Sequence, residues 1–191
     1  MKLGKMKSSV KLTSHLDARA GISEGFKPRG RWYMVCHRKS EELWREPWKN
    51  VIVNSAVKHM LNQAIGTGET HITGWYIGLI VTGGTVASGD ALESHAGWTE
   101  MTAYTGVSRP KWQPDAVSGK TIDNSTNKGT FSISASTSVG GAFMCSQISA
   151  GVESATETMW AAGMLGTERT GLQDGDTLTV QATFSGDDDG A

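Results

Sequence analysis

The chain is poor in the features that build cross-linked or membrane-spanning proteins. Among its 191 residues there are two cysteines, Cys36 and Cys145, and four prolines. Two cysteines cannot make the disulfide framework of a small secreted domain. Each lies in an apolar run, "WYMVCHR" and "GGAFMCSQI", so both are expected as small buried hydrophobes in a protein made in a reducing cytoplasm. No run approaches the roughly 20 apolar residues that a spanning helix needs. The opening residues contain lysines but no apolar core of a secretory signal, so none is expected. Net charge is also small, at -1. With recurrent aromatics, that disfavours wholesale disorder.

What the chain has in quantity is glycine (24), serine (19) and threonine (20), together a third of its length. Helical proteins avoid that mixture, because glycine costs about 1 kcal/mol against alanine in a helix. Helical bundles, coiled coils and collagen are therefore excluded. The hydrophobic share of 38% suffices for one core, and seven tryptophans add large buried surfaces. Charge is unevenly placed. Residues 1–49 hold twelve Lys or Arg against five Asp or Glu, a balance of +7, and residues 50–191 a balance of -8. The pattern reads as a basic arm joined to an acidic globule. The basic residues are scattered rather than clustered in a nucleic-acid-binding motif. A protein surface is thus the expected partner, and nucleic acid is not.

Three regions are expected: an extended arm over 1–29, closed by Pro28 and Gly30; a β domain over 30–184; and an acidic tail over 185–191. The β-formers of "GRWYMVCHR" predict a first strand over 30–38, and "KSEE" a turn over 39–42. A second strand is expected over 43–53, with Pro47 placing it on a sheet edge or at a bulge. The spacing of "NSAVKHMLNQAIG" predicts a helix over 54–66. Asn54 or Ser55 would be its N-cap, Gly66 its C′ residue, and Val57, Met60, Leu61 and Ala64 its buried face. The apolar run "GWYIGLIVT" (74–82) predicts a central strand buried on both faces. Residues 83–98 form a long loop. The segment 109–114 is short and fenced by two prolines, and further strands are expected in 98–104, 120–123, 130–136, 138–148, 158–165 and 175–184. In the last, Leu178, Val180, Ala182 and Phe184 alternate with polar residues. The "NST" at Asn124 is read as a polar turn. Eight or nine short strands, one helix and no repeat argue for a mainly all-β fold: an antiparallel β-sandwich or jelly roll with one short helix.

Chemistry is harder to find. The five histidines form no zinc-binding pattern, so neither a metal nor a cofactor is expected. Ser88, Asp90, Glu93, Ser94 and His95 fall within eight residues of one another. They lack a nucleophile elbow, and triad members normally come from separated segments, so a structured loop is expected instead. "DDD" at 187–189 reads as a solvated end. Trp44 and Trp48 flank the charged "REP" close to the arm. They read either as anchors for a partner or as staples holding the arm to its own sandwich.

The order of segments carries a resemblance. The blocks are "GRWYM…LWREPWKNVIVNSAVKHMLNQAI", "GWYIGLI", "SGDALESHAGWTEMTAYTGVSRPKW" and "FSISASTSVGGAFMCS…TMWAAGML…GDTLTVQATF". Over residues 30–184, and most specifically from Asp90 through Trp112, the chain resembles a family of small β-rich virion structural proteins of tailed bacteriophages. The resemblance implies a non-enzymatic capsid cement or decoration protein located in the virion. It would be a homo-oligomer, dimer or trimer, clamping neighbouring copies of the major capsid protein, with no membrane partner. The alternative it leaves is a tail, collar or head-fibre component that binds a host surface or glycan. Under the cement reading Arg29, Arg31, Arg38 and Arg45 would pair with carboxylates, and Trp44 and Trp48 would be apolar anchors.

Overall fold

The computed structural model describes residues 27–66, 68–81 and 84–187. Eleven strands and one helix follow in chain order. They are β1 (Lys27–Arg38), β2 (Glu41–Lys49), β3 (Val51–Ile52), α1 (Asn54–Ala64), β4 (Trp75–Ile80), β5 (Glu100–Met101), β6 (Lys111–Trp112), β7 (Thr121–Asp123), β8 (Gly129–Ser132), β9 (Thr137–Cys145), β10 (Met159–Leu172) and β11 (Thr177–Asp187). The first sheet runs β2-β1-β11-β7, with β8 also on β11. The second runs β3-β10-β9-β4-β5, with β6 also on β4. Every pairing of named strands is antiparallel. The mainly β, antiparallel fold with one short helix is the one expected.

The two sheets share a core. Trp32, Met34 and Cys36 of β1 and Leu178, Val180 and Ala182 of β11 meet Ile77 and Leu79 of β4 and Ala142 and Met144 of β9. Period-two alternation puts them there, since β1 and β11 each send every second side chain inward. An aromatic row threads the same core. Trp48 stacks on Trp32 at 6.1 Å, Trp32 meets Phe184 edge-on, Phe184 meets Trp160, and Trp160 meets Trp75 at 5.0 Å. Strand β4 is an interior strand, as its apolar run predicts, and Ile77 through Ile80 are all buried. Gly78 makes room there: a Cβ at this position would come within 2.2 Å of the Phe143 ring.

Several boundaries differ from the expected ones; β10, for example, runs on to Leu172 rather than ending at 165. The first sheet takes in residues assigned to the arm and tail, because Lys27, Pro28 and Arg29 pair with Asp187, Gly186 and Ser185. Residues 1–26 and 188–191, which hold the rest of both, lie outside the described residues. The second expected strand is two, and it breaks at Asn50 rather than Pro47 because the chain there passes from the first sheet to the second. Pro47 sits on β2, an edge strand, as a missing N–H requires. The hairpin turn is Lys39–Ser40 alone, both at positive φ (49° and 70°), which is what a two-residue connection between twisted strands demands. Finally, segment 98–104 shortens to β5, with Trp98, Met101 and Tyr104 buried. That spacing is not a strand's.

The helix departs most. Val53, not Asn54 or Ser55, is its N-cap, with no side-chain cap. Ser55 Oγ instead donates to Met159 O at 2.8 Å. Two backbone bonds, Asn54 N–H to Ser88 O and Val53 N–H to Trp160 O, fix how α1 enters. They turn Ala56 and His59 toward the sheet. The face expected in the core, with Val57, Leu61 and Ala64, is left exposed, and Met60 is half-buried. Gly66 does follow the C-cap residue Ile65, and its N–H reaches Leu61 O and Asn62 O.

Candidate interaction surface

The outer face of the first sheet gathers cations. Inward and outward residues alternate on β1, so burying Trp32 and Met34 forces Arg29, Arg31 and Tyr33 outward. Register then sets their neighbours. Arg31 lies directly opposite Lys49 on β2 and opposite Thr183 on β11; Arg29 lies opposite Ser185. Thr121 of β7 follows beyond Ser185. These residues, with Asn50, line an open cleft of about 720 Å³. Its chemistry is two guanidinium groups, one ammonium and three hydroxyls. Like charges placed directly across a strand pair repel, at roughly 0.2–1 kcal/mol. Arg31 and Lys49 are both exposed, and no salt bridge joins either to a carboxylate among the described residues. The cleft can therefore gain energy by receiving an anion that bridges the two cations.

Arg45, Arg38, Trp44 and Trp48 are held by contacts within the described fold. Arg45 is on the same outer face but forms a two-pronged pair with Glu42, which raises the guanidinium pKa. Arg38 binds both oxygens of Asp176, at 2.7 and 2.8 Å, and Gly171 O at 3.0 Å. The Arg38 contact, with the Gln173 N–H, holds the Asp176 carboxyl below its ordinary range. Trp44 is half-buried under Arg169, whose guanidinium lies 5.3 Å from the ring. Arg169 also pairs with Glu46 at 2.6 Å, tying β2 of one sheet to β10 of the other. Trp48 is in the core against Trp32. It is part of the sandwich core and does not project from the sheet. Of the six residues singled out in sequence, the fold brings Arg29, Arg31 and Arg45 onto one face and assigns Arg38, Trp44 and Trp48 to internal contacts.

Lys49, Asn50, Thr121, Thr183 and Ser185 are members of the cleft that the sequence reading missed. The alternating Thr/Ser series of 177–185 was the available signal, but only strand register reveals that it adjoins the arginines.

The 88–95 loop is a structural clasp. Asp90 Oδ2 accepts from Ala87 N at 3.0 Å and from Trp98 Nε1 at 3.3 Å. The His95 ring stacks on Trp98 at 3.7 Å. Its Nδ1 lies 3.1 Å from Trp98 O and its Nε2 lies 3.4 Å from Glu153. Both nitrogens thus face groups other than a serine hydroxyl. Beside it, Arg109 is 2% exposed and grips Glu100 with two bonds of 2.8 and 2.7 Å. The same side chain reaches Gln147 O and Val152 O, and lies 5.2 Å from the Phe143 ring. Burial works most strongly against its charge, but the Glu100 bonds together with the charge interactions of Cys145, Glu100 and Tyr104 outweigh that and raise its pKa. Among the described residues no three His, Cys, Asp or Glu side chains form a metal-binding group, and no helix is long and apolar enough to cross a membrane.

No family model, curated protein or solved structure matches the chain.

Proposed function

We propose that this chain is a non-enzymatic assembly module, a capsid cement or decoration protein of a tailed-phage virion. Its first-sheet face would seat on the carboxylate-bearing surface of neighbouring capsid subunits. The resemblance supplies the particle. The observation that supports the surface is the Arg31–Lys49 juxtaposition, a like-charge pair across two strands flanked by Arg29 and a row of hydroxyls. Such a face favours a planar array of carboxylates, which arginine engages in bidentate fashion. The outer edge carries Glu41, Glu42, Arg45, Pro47 and Lys49, features that block edge-to-edge pairing. Contact through the sheet's face rather than its edge is consistent with that.

The test is binding of purified chain to expanded, emptied capsids. The wild-type chain should bind in many copies per particle, less tightly as salt rises. The double reversal Arg31→Glu/Lys49→Glu should lower affinity about tenfold or more. Full affinity in the reversed variant sinks the surface assignment. No capsid binding at low salt, with the chain found instead in a few copies at a tail or collar, sinks the cement role.

A further inference from the structure

Three cavities share walls along one side of the sandwich. The cationic cleft of the first sheet adjoins a small apolar cavity of about 170 Å³, because Arg29, Thr121 and Ser185 line both. That cavity bridges the sheets, taking Ile122 and Phe184 from the first and Ile52 and Trp160 from the second. It adjoins in turn a groove of about 860 Å³ beside α1, because Met60 and Trp160 line both. The helix supplies Val57 and Leu61 to the groove, 36% and 56% exposed. Ile72, Trp75 and Trp160 complete it, with the two indoles edge to face at 5.0 Å. The shared walls join the three into one track, cationic at the first-sheet end and apolar at the helix end. A contiguous apolar patch on a folded domain ordinarily marks a contact surface.

Charge decides what the track can hold. Among the described residues no Asp or Glu lines any of the three cavities, whereas Arg29, Arg31, Lys49 and Lys120 do. Yet residues 50–191 are acid-rich, with a balance of -8. The track is thus a carboxylate-free lane on an acidic domain, complementary to an acidic partner.

We infer that the track receives one extended protein segment in which carboxylates adjoin large apolar side chains. The acids seat on Arg31 and Lys49, and the apolar side chains seat between Leu61 and Trp75. Size argues against a small molecule. Pockets for one such ligand run to about 300–1,000 Å³; the cleft and the groove are each that large, so a single small ligand fills one end and leaves the other in water. A second copy related by a two-fold axis sets the track against itself, and the track has no carboxylate to meet its own cations. A segment with acids alone leaves Leu61 and Trp75 uncovered. The inference rests on the reading of the first-sheet face as a seat for carboxylates and adds the apolar half of the partner; under the capsid reading the segment belongs to a capsid subunit.

Selection of a random library of displayed twelve-residue peptides on the full-length chain tests it without the particle. Twelve extended residues reach about 40 Å, roughly the width of a domain of this size. Enriched sequences should place Asp or Glu beside Leu, Phe or Trp. The tightest synthetic peptide should lose about tenfold in affinity on Arg31→Glu/Lys49→Glu and about tenfold on Leu61→Gln. Only the first loss should shrink as salt rises. Position 61 is exposed and glutamine keeps its helix propensity, so the melt should match the parent's; Val57→Ser repeats the groove test if it does not. Enrichment of sequences without carboxylates, or no enrichment, overturns the inference. An acidic peptide sensitive to the cleft reversal but indifferent to both groove substitutions overturns it too, while the reading of the cleft stands. So does a parent dimer that Leu61→Gln makes monomeric, which would put a second copy in the track. The expected selection without capsid binding at low salt upholds this inference and removes the capsid reading.

Discussion

Substituting Arg109 with methionine isolates the strongest buried electrostatic contact in the described fold. The guanidinium makes two bonds to Glu100 and two to the carbonyls of Gln147 and Val152, with its side chain fully buried and that of Glu100 at 9% exposure. The replacement fills much of the same volume, so packing against Phe143 is largely kept. What it removes is the counter-charge of a carboxylate that then has only the Gly151 N–H, at 2.7 Å, for company. Removing one member of a buried pair costs about 3–5 kcal/mol. For a chain of this size each kcal/mol moves the melting point by roughly 2–4 °C, so Arg109→Met should melt roughly 6–20 °C below the parent. Urea unfolding followed by tryptophan fluorescence, with circular dichroism for the melt, gives both numbers. Adding Glu100→Leu to Arg109→Met should recover a large part of the loss, since neither charge is then buried. A single variant within 1 kcal/mol of the parent, or a double variant no better than the single, would refute the view that this pair locks the 146–158 segment to β5.

Asn124 makes a second test. Its side chain is fully buried, accepts from Ala182 N at 2.8 Å and donates to Val180 O and Asn127 O. Asn124→Ala should cost about 1–3 kcal/mol in urea unfolding, whereas Ser125→Ala, at an exposed neighbour, should be close to neutral. The thiols give a pH dependence. Burial pushes both Cys36 and Cys145 up to about 11. Neither should react with a maleimide at pH 7.5 until the chain unfolds. Because the unfolded thiols ionise near their ordinary value, about 8.5, the unfolded state binds fewer protons above that pH. The thiol contribution to stability is therefore complete below about pH 8.5 and declines as pH rises through about 11. A melting point that climbs across that window, or rapid native alkylation, would contradict the burial. The hairpin turn offers a gain: Ser40 at φ 70° pays the left-handed penalty of a residue with a Cβ. Ser40→Gly should stabilise by about 1 kcal/mol, and a loss would mean that the turn conformation is not the one described.

Much of this architecture is legible from local pattern. Alternation in 178–184 identifies the buried face of β11, and the apolar run at 77–80 identifies an interior strand, because a residue's side in a strand follows from its parity alone. Pro47 marks an edge because a missing N–H cannot serve two neighbours. Neither the cleft nor the groove can be read that way. The Arg31–Lys49 juxtaposition depends on the register between β1 and β2, and the hydroxyl row beside it on β11 closing against β1, a pairing of the two ends of the fold some 150 residues apart. The helix shows the same limit from the other side. Its apolar spacing predicts a helix over 54–66, and one runs over Asn54–Ala64, but spacing does not determine which face turns inward. That rotation is set by backbone bonds to Ser88 and Trp160 and by the Ser55 bond to Met159, groups far away in sequence. Local sequence thus determined which segments are strands and which side chains each strand hides. Only tertiary structure decided which hidden and exposed faces meet, because hydrogen-bond register and docking are properties of pairs of segments rather than of either one.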